Sequence, residues 1–348
     1  MARDLRTTAR LEPPAASERE RLPSVTAVVP ARDEERDVQT TLALLAAQDH
    51  PRLQIVAVDD CSSDGTRAAM RQVAGVEVVE GAPPPAGWLG KAWACAQGVQ
   101  RARGDWLLFL DADMRLAPEA VAAALHFAIE RGGGGATVFP RLETGGVAER
   151  IVMPAAGVLM RTTVIPSWAA RSRRFDVAIG VGGFLLLERT LYERVGGHAA
   201  VRDEVVEDLA LARLVKRAGG LVEWAGAGDL VSLRMYHGAG ELWRGWRKSA
   251  AHAWPLPPLA SAGAASALAV VVFLPWAAAA RGRPAASVGV LAQVATVALS
   301  SRGSDIPAAY GLAAPLGVAF LLAVGAVALW DRARGRPPSW RGRRIGAR

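Results

Sequence analysis

The sequence predicts an α/β fold with a mostly parallel sheet, followed by C-terminal apolar helices embedded in a membrane. Between Ser24 and Ser249, short apolar runs alternate with segments of helical periodicity, and this alternation is typical of parallel strands joined by helices. Beyond Pro255, three uncharged apolar tracts follow one another. The outer two, Pro255 to Ala280 and Ile306 to Trp330, are long enough to cross a bilayer.

The run from Gly104 to Asp113 is the segment around which the predicted sheet is built. Its five consecutive apolar residues, Trp106 to Leu110, indicate a strand buried on both faces, and Asp111 and Asp113 follow directly. Ligands of open α/β sheets bind at the carboxyl ends of the strands. Two carboxylates there repel each other unless a cation lies between them, and such oxygen ligands suit Mg²⁺ or Mn²⁺. From the residues alone, a second interpretation has equal weight: Asp111 and Asp113 form a turn and cap the next helix.

Two earlier strands also carry polar residues where they end. The first is predicted to stop at Pro30, and Arg32 and Glu34 follow it. The second, Gln54 to Val58, runs into Asp60. These loop residues are therefore expected at the edge of the sheet where ligands bind.

Two further segments carry charge at a predicted helix start. The loop Gly87 to Ala92, which contains Lys91, has the wrong glycine spacing for a P-loop. No Gly-x-Gly-x-x-Gly follows any predicted strand, so a dinucleotide-binding Rossmann site is disfavoured as well. Glu207 and Asp208 open a later helix, and acids at that place interact favourably with the helix dipole. Taken alone, those two residues are interpreted as helix caps.

Composition restricts the class of partner. The net charge is +8, and seven arginines lie between Asp331 and Arg348, next to an apolar tract. A membrane surface explains these bases better than nucleic acid, for which no motif is present. Cys61 and Cys95 are the only cysteines of the chain. Two cysteines are too few for a disulfide framework, and their spacing does not match a cysteine metal site. The five histidines are scattered and are predicted to be structural or on the surface.

The same observations predict the domain organisation. We expect a disordered lead over residues 1–22, a catalytic domain over 23–254 with interfacial helices near 151–166 and 239–253, membrane-embedded helices over 255–330, and a basic tail over 331–348. Basic residues that flank membrane-spanning segments prefer the cytosol. This preference favours an even number of membrane crossings, in which the tract from Pro255 to Ala280 is re-entrant and bent at Pro275. The N-terminus lacks an apolar signal segment, so the bulk of the chain is expected in the cytosol.

Taken together, the motifs resemble those of the family 2 glycosyltransferases, whose fold is a single A-type nucleotide-diphospho-sugar domain. The resemblance runs from about Ser24 to Ser249 and depends on several elements in the same order as in the family. These are Val28 to Glu34, Val58 to Thr66, Gly90 to Ala92, Asp111 to Asp113, and Glu207 with Asp208. Each element alone is weak evidence for the family. Because all of them occur in the family's order, we prefer the family interpretation to the turn and cap interpretations given above.

The resemblance implies a role for each matching residue. Asp113 and Asp111 would hold Mg²⁺ or Mn²⁺, while Asp208, assisted by Glu207, would act as the catalytic base. The UDP-sugar donor would contact Pro30, Arg32, Glu34, Asp60, Lys91, Asp111, Arg244 and Trp246.

Two more segments resemble the membrane-associated branch of the family that glycosylates carotenoids. They are Gly87 to Cys95, and Arg234 to Tyr236 followed by the Trp-x-Gly-Trp-x-Lys run that ends at Lys248. The resemblance implies an inverting transfer of glucose from a UDP-sugar to a lipophilic acceptor, such as a hydroxy- or carboxy-carotenoid. The enzyme would lie at the cell membrane, with its catalytic domain facing the cytoplasm and membrane lipids as partners.

Glu241 stands where processive members of the family carry glutamine, so a single transfer is expected. Two alternatives remain open. One keeps the chemistry but uses a polyprenyl phosphate or another glycolipid acceptor, and the other is a non-catalytic membrane scaffold.

Overall fold

The computed structural model describes residues 9–163, 172, 178–180, 183–253, 257–301, 304–335, 339–340 and 343–344. They form two compact units. The first contains the described residues between 9 and 141 and between 172 and 233. The second contains those between 142 and 163 and from 234 onward.

The first unit is organised by a central sheet. Its strands and the short strands beside it are β1 (Ala9–Arg10), β2 (Val25–Ala31), β3 (Leu53–Asp59), β4 (Val76–Glu80), β5 (Trp106–Leu110), β6 (Met114–Leu116), β7 (Gly135–Phe139), β8 (Arg141–Leu142), β9 (Phe184–Glu188), β10 (Val222–Gly226) and β11 (Val231–Leu233). Within the described residues the central sheet has eight strands in the order β1-β10-β7-β9-β5-β2-β3-β4. All neighbours are parallel except β9, which is antiparallel to β5 and β7. The predicted α/β class with a mostly parallel sheet is confirmed.

Helices pack on the sheet and, in the second unit, on one another. They are α1 (Ala16–Arg19), α2 (Val38–Ala46), α3 (Thr66–Arg71), α4 (Gly90–Val99), α5 (Ala120–Glu130), α6 (Val147–Thr163), α7 (Arg189–Arg194), α8 (Glu207–Arg217), α9 (Ala239–Ala253), α10 (Pro258–Ala280), α11 (Pro284–Ser300) and α12 (Ala314–Ala333), with 3₁₀ turns at Gly197–Val201 and Ala308–Ala313. A two-residue strand pair, β12 (Ser339–Trp340) with β13 (Arg343–Arg344), follows α12.

Strand β5 is buried along its whole length, as its five apolar residues predict. Strand β2 pairs with β5 only as far as Val28, opposite Phe109. Pro30 follows, and the strand continues beside β3 to Ala31, so the prediction that Pro30 stops the strand is wrong. Proline lacks an N–H group, but here it lies beyond the β5 ladder and costs no hydrogen bond there.

Two other segments differ from the prediction. Residues 9–22 are ordered: β1 pairs with β10, and Leu11 and Leu22 are buried. Residues 1–8 of the predicted disordered lead lie outside the described residues. The sequence also predicts a strand pair around Leu221 to Trp224 and Leu230 to Met235. These segments do not pair with each other, because β10 pairs with β7 and β11 is antiparallel to β6.

The second unit brings α6 and α9 together with the apolar helices. Gly317 of α12 lies so close to α6 that an added Cβ atom would approach the Ile151 carbonyl oxygen to 2.5 Å, so a larger residue there would force the two helices apart. Further along α12, Phe320 contacts Trp243, and Asp331 near the end of the helix forms an ion pair with Arg247 of α9. Residues 164–166 of the predicted interfacial helix lie outside the described residues.

Two helices of the described residues are long and apolar enough to cross a membrane, Leu259–Ala280 and Ala308–Ala333. Helix α11 is shorter, with 17 residues. The C-terminal apolar helices expected from the sequence are therefore present.

Gln293 of α11 links that helix to the part of α10 that contains Pro275. Pro275 has no N–H group, so the carbonyl of Val271, four residues earlier, lacks its helical partner. The side-chain amide of Gln293 donates to that carbonyl at 3.0 Å and accepts a hydrogen bond from Trp276 at 2.9 Å. One polar side chain thus satisfies both groups in an apolar helix pair.

We expect Gln293→Leu to destabilise the detergent-purified protein by about 1–3 kcal/mol, because it leaves two polar groups without partners. Thermal unfolding measures the change. Ser287→Leu, at an exposed position of the same helix, is the matched control and should unfold like the wild type. Equal unfolding temperatures for the two variants would contradict the role of Gln293.

Candidate active site

A cleft in the first unit opens where β2 and β5 separate. Pro30, at the point of separation, lines it, as do Lys91 and Asp111. Glu207 and Asp208, from the first turn of α8, complete the polar part of its wall. Residues that are far apart in the sequence therefore meet at the carboxyl end of β5, where the sequence predicts a ligand.

Lys91 is the bridge between the acids of the cleft. Its ammonium group lies 2.8 Å from a carboxylate oxygen of Asp111 and 2.9 Å from one of Glu207. Burial disfavours charge on Lys91, yet Asp111 and then Glu207 raise its pKa well above the usual lysine value. The lysine therefore carries its positive charge at neutral pH.

Asp208 is one of two buried carboxyl groups that the sequence assigns to catalysis, the other being Glu207. Asp208 is 9 % exposed. Burial, and next the neighbouring charge of Glu207, raises its pKa to about 7. A carboxylate with this pKa can accept a proton near neutral pH, as a general base must.

Gly180 supports the backbone at Asp208. A Cβ atom at position 180 would lie 2.7 Å from the Asp208 carbonyl oxygen and 2.9 Å from the next backbone nitrogen. Real side chains are not found at such distances from backbone, so glycine is required if Asp208 is to keep this position. The neighbouring positions 181 and 182 lie outside the described residues.

Asp113 belongs to a second concentration of negative charge. Loss of hydration, and next the charges of Asp111 and Glu34, raises its pKa to about 8. A divalent cation would relieve this repulsion, so the donor set fits Mg²⁺ or Mn²⁺. The described residues contain no group of three or more metal-binding side chains. Two carboxylates nevertheless suit Mg²⁺, which usually takes its remaining ligands from water and substrate phosphates.

The loops after β2 and β3 are held together by their own polar groups. Arg32 donates to the backbone carbonyls of Asp60 and Cys61, at 2.7 and 2.9 Å. Asp33 and Cys61 both have left-handed backbone conformations, with φ of 52° and 54°. Such strain in residues other than glycine is concentrated at functional sites. Arg32 thus fixes the shape of the loop that contains the buried Asp60.

The structure brings together most, but not all, of the predicted site residues. Pro30, Lys91, Asp111, Glu207 and Asp208 line one cleft, and Glu34 is near enough to Asp113 to raise its pKa. Arg32 and Asp60 form the neighbouring loops.

Arg244 and Trp246 lie on α9 in the second unit. Arg244 is exposed, whereas Trp246 packs against an apolar cluster that includes Val152 and Leu242. Their contact with the donor stays a prediction.

His198 is a cleft residue that the sequence analysis assigned to structure or surface. It is buried and follows the turn Gly196-Gly197. A histidine that directly follows a pair of glycines, in the last turn before the Glu207 helix, is the signal that could have drawn attention to it.

Comparison with known proteins finds a family model that matches part of the chain. Residues 26–196 match the family described as glycosyl transferase family 2. The chain is 27 % identical over 230 residues to the 4,4'-diaponeurosporenoate glycosyltransferase of Staphylococcus haemolyticus, which covers 65 % of this chain and 60 % of that protein. The Staphylococcus aureus (strain MRSA252) protein with the same description is 27 % identical over 235 residues, with the same coverage. The chain thus spans about 60 % of the length of these relatives.

Among solved structures, the chain is similar to the mannosyltransferase PcManGT of Pyrobaculum calidifontis, solved in complex with GDP-Man and Mn²⁺. The likeness has a TM-score of 0.57 at 22 % identity and covers 95 % of this chain and 93 % of that one. It shows a shared fold. Together with the family match, it identifies residues 26–196 as a glycosyl transferase family 2 domain.

Proposed function

We propose that this chain is an inverting glycosyltransferase that moves glucose from a UDP-sugar to a lipophilic acceptor at the membrane. A hydroxy- or carboxy-carotenoid is the acceptor class that the proposal names. The observation that carries it is the convergence of Lys91, Asp111 and Glu207 beside the buried Asp208. The staphylococcal relatives support the acceptor class, because they are described as 4,4'-diaponeurosporenoate glycosyltransferases, and 4,4'-diaponeurosporenoate is a carotenoid acid.

The charged residues of the site have different roles in the proposed transfer. Asp208 takes the proton of the acceptor group as that group attacks the anomeric carbon. Lys91 stabilises the charge that grows on the leaving diphosphate. Asp111 and Asp113 would hold Mg²⁺ or Mn²⁺, which supplies Lewis-acid stabilisation of the diphosphate when bound. Asp60 and Arg32 would shape the pocket for the uracil base.

The second unit supplies the reason for a membrane-borne acceptor. Large apolar side chains on its apolar helices are exposed, among them Leu259, Val288 and Leu316. Exposed apolar surface of this kind suits contact with lipid. A catalytic domain that uses a nucleotide sugar then faces the cytoplasm, with α6 and α9 at the membrane surface.

The acceptor class is tested with purified protein in detergent and labelled UDP-glucose. Transfer is expected to hydroxy-carotenoids and not to soluble sugars or peptides, because the acceptor reaches the site from the apolar phase. Thin-layer analysis of the lipid extract detects the product. Efficient glycosylation of a soluble acceptor in the absence of lipid would refute this acceptor class.

The metal is tested by its removal. Transfer is expected to cease in excess EDTA and to return with Mg²⁺ or Mn²⁺. Asp113→Ala should lose the enhancement of UDP affinity by Mn²⁺ while it keeps the wild-type unfolding temperature. Calorimetry of UDP binding with and without Mn²⁺ provides the readout. Undiminished transfer in EDTA would show that Lys91 alone serves the diphosphate.

The base is tested by Asp208→Asn, which keeps the size of the side chain but cannot accept the proton. We expect turnover to fall on the order of 10²- to 10⁴-fold, with UDP-sugar affinity near that of the wild type. Since an acceptor phosphate needs little help from a base, unchanged turnover would point to the polyprenyl-phosphate alternative. For the wild type, turnover should rise with pH as Asp208 loses its proton, because only the ionised form is a base.

A further inference from the structure

His198 is a buried side chain of the cleft to which the proposed transfer assigns no role. It lies in the 3₁₀ turn Gly197–Val201, and its ring meets Phe109 of β5 edge to face, with centroids 4.6 Å apart. It is 3 % exposed and lines the same cleft as Lys91 and Asp208.

Hydrogen bonds fix which nitrogen of the His198 ring carries the proton. The hydroxyl oxygen of Tyr192 accepts from the backbone N–H of His198 at 3.0 Å and lies 2.8 Å from Nδ1 of the same residue. Among the described residues the buried Tyr192 hydroxyl makes no further hydrogen bond, so its single proton is donated to Nδ1. Nδ1 is therefore an acceptor, and the neutral ring carries its proton on Nε2.

The ring stays neutral, and its donor remains available. Burial, with a smaller effect from the positive charge of Lys91, lowers the pKa of His198 to about 3. In the part of the chain that the structure describes, the Nε2 atom makes no hydrogen bond to the protein. It is not fully buried either, because it is absent from the set of fully buried polar atoms without a partner. An unbonded nitrogen that is not buried is reachable from the cleft that its ring lines.

We propose that the Nε2–H group of His198 donates a hydrogen bond to a hydroxyl group of the transferred sugar. The inference rests on the proposed function, because it takes Asp111 as the diphosphate end of the cleft and Asp208 as the acceptor end. The transferred sugar lies between those ends, since its anomeric carbon is bonded to the diphosphate and is attacked by the acceptor. A neutral donor suits an uncharged hydroxyl group, while Lys91 serves the anionic diphosphate.

The test distinguishes the packing of the His198 ring from the hydrogen bond that its Nε2–H group donates. His198→Phe keeps an aromatic ring against Phe109 but removes the N–H group, whereas the side-chain amide of His198→Gln restores a donor. We expect His198→Phe to bind UDP-glucose roughly three- to tenfold more weakly, the range for one lost hydrogen bond. Its affinity for UDP should stay within twofold of the wild type, because UDP lacks the sugar. His198→Gln should recover most of the loss. Calorimetry with both ligands gives the comparison.

Two further variants guard against a merely structural effect. His198→Phe leaves the Tyr192 hydroxyl without its acceptor. The double variant with Tyr192→Phe removes that hydroxyl but leaves the backbone N–H of residue 198 without its acceptor, so its affinity for UDP-glucose should stay as low as that of His198→Phe, whatever its stability. His126→Phe, on the half-buried His126 of α5, is a matched control that should bind both ligands as the wild type does.

Equal loss of UDP and UDP-glucose affinity in His198→Phe, or no loss of either, would overturn the proposal. So would a His198→Gln variant as weak as His198→Phe. Failure of the wild type to bind any UDP-sugar is a different result, and it would refute the proposed function instead.

Discussion

The ion pairs of Lys91 are the interaction on which the site depends. Three carboxyl groups, those of Asp111, Glu207 and Asp208, are set around one ammonium group at the end of a buried strand, and the charge of Asp111 also acts on Asp113. Such a concentration of negative charge would repel a diphosphate. The raised pKa values of Asp113 and Asp208 show how the protein tolerates it: both acids are poised to hold protons near neutral pH. A donor that arrives with a divalent cation brings the missing positive charge, which is why metal and nucleotide binding are expected to be coupled.

The fold supplies the rigidity that this arrangement requires. Asp111 follows the fully buried β5, and Lys91 lies in the first turn of α4. Glu207 and Asp208 begin α8, with Gly180 packed against their backbone. Each charged group is thus attached to a regular element near its end. Chemistry at the end of a strand or helix can be positioned precisely only because the element behind it is fixed by packing.

The fold class and the acids could be predicted because their signals are local. A run of five apolar residues followed by Asp111 and Asp113 is visible in the sequence, as are the paired acids at the start of α8. Strand β1 could not be predicted, since two residues have no periodicity and the strand exists only by pairing with β10, more than 200 residues away. His198 was missed for a similar reason: its tautomer depends on Tyr192 and its burial on Phe109, and neither contact leaves a pattern in the sequence. Gln293 showed only as a polar residue in an apolar tract, and its role emerges with Pro275 of the other helix.

The proposed reaction is a single direct displacement in which Asp208 removes the acceptor proton while the diphosphate departs from the opposite face. The configuration of the product tests it most directly. Proton NMR of the glycosylated acceptor made from UDP-α-glucose should show a β-linked glucose, because one displacement inverts the anomeric carbon. An α-linked product would contradict the account, since it requires retention and therefore a different role for the acids of the cleft.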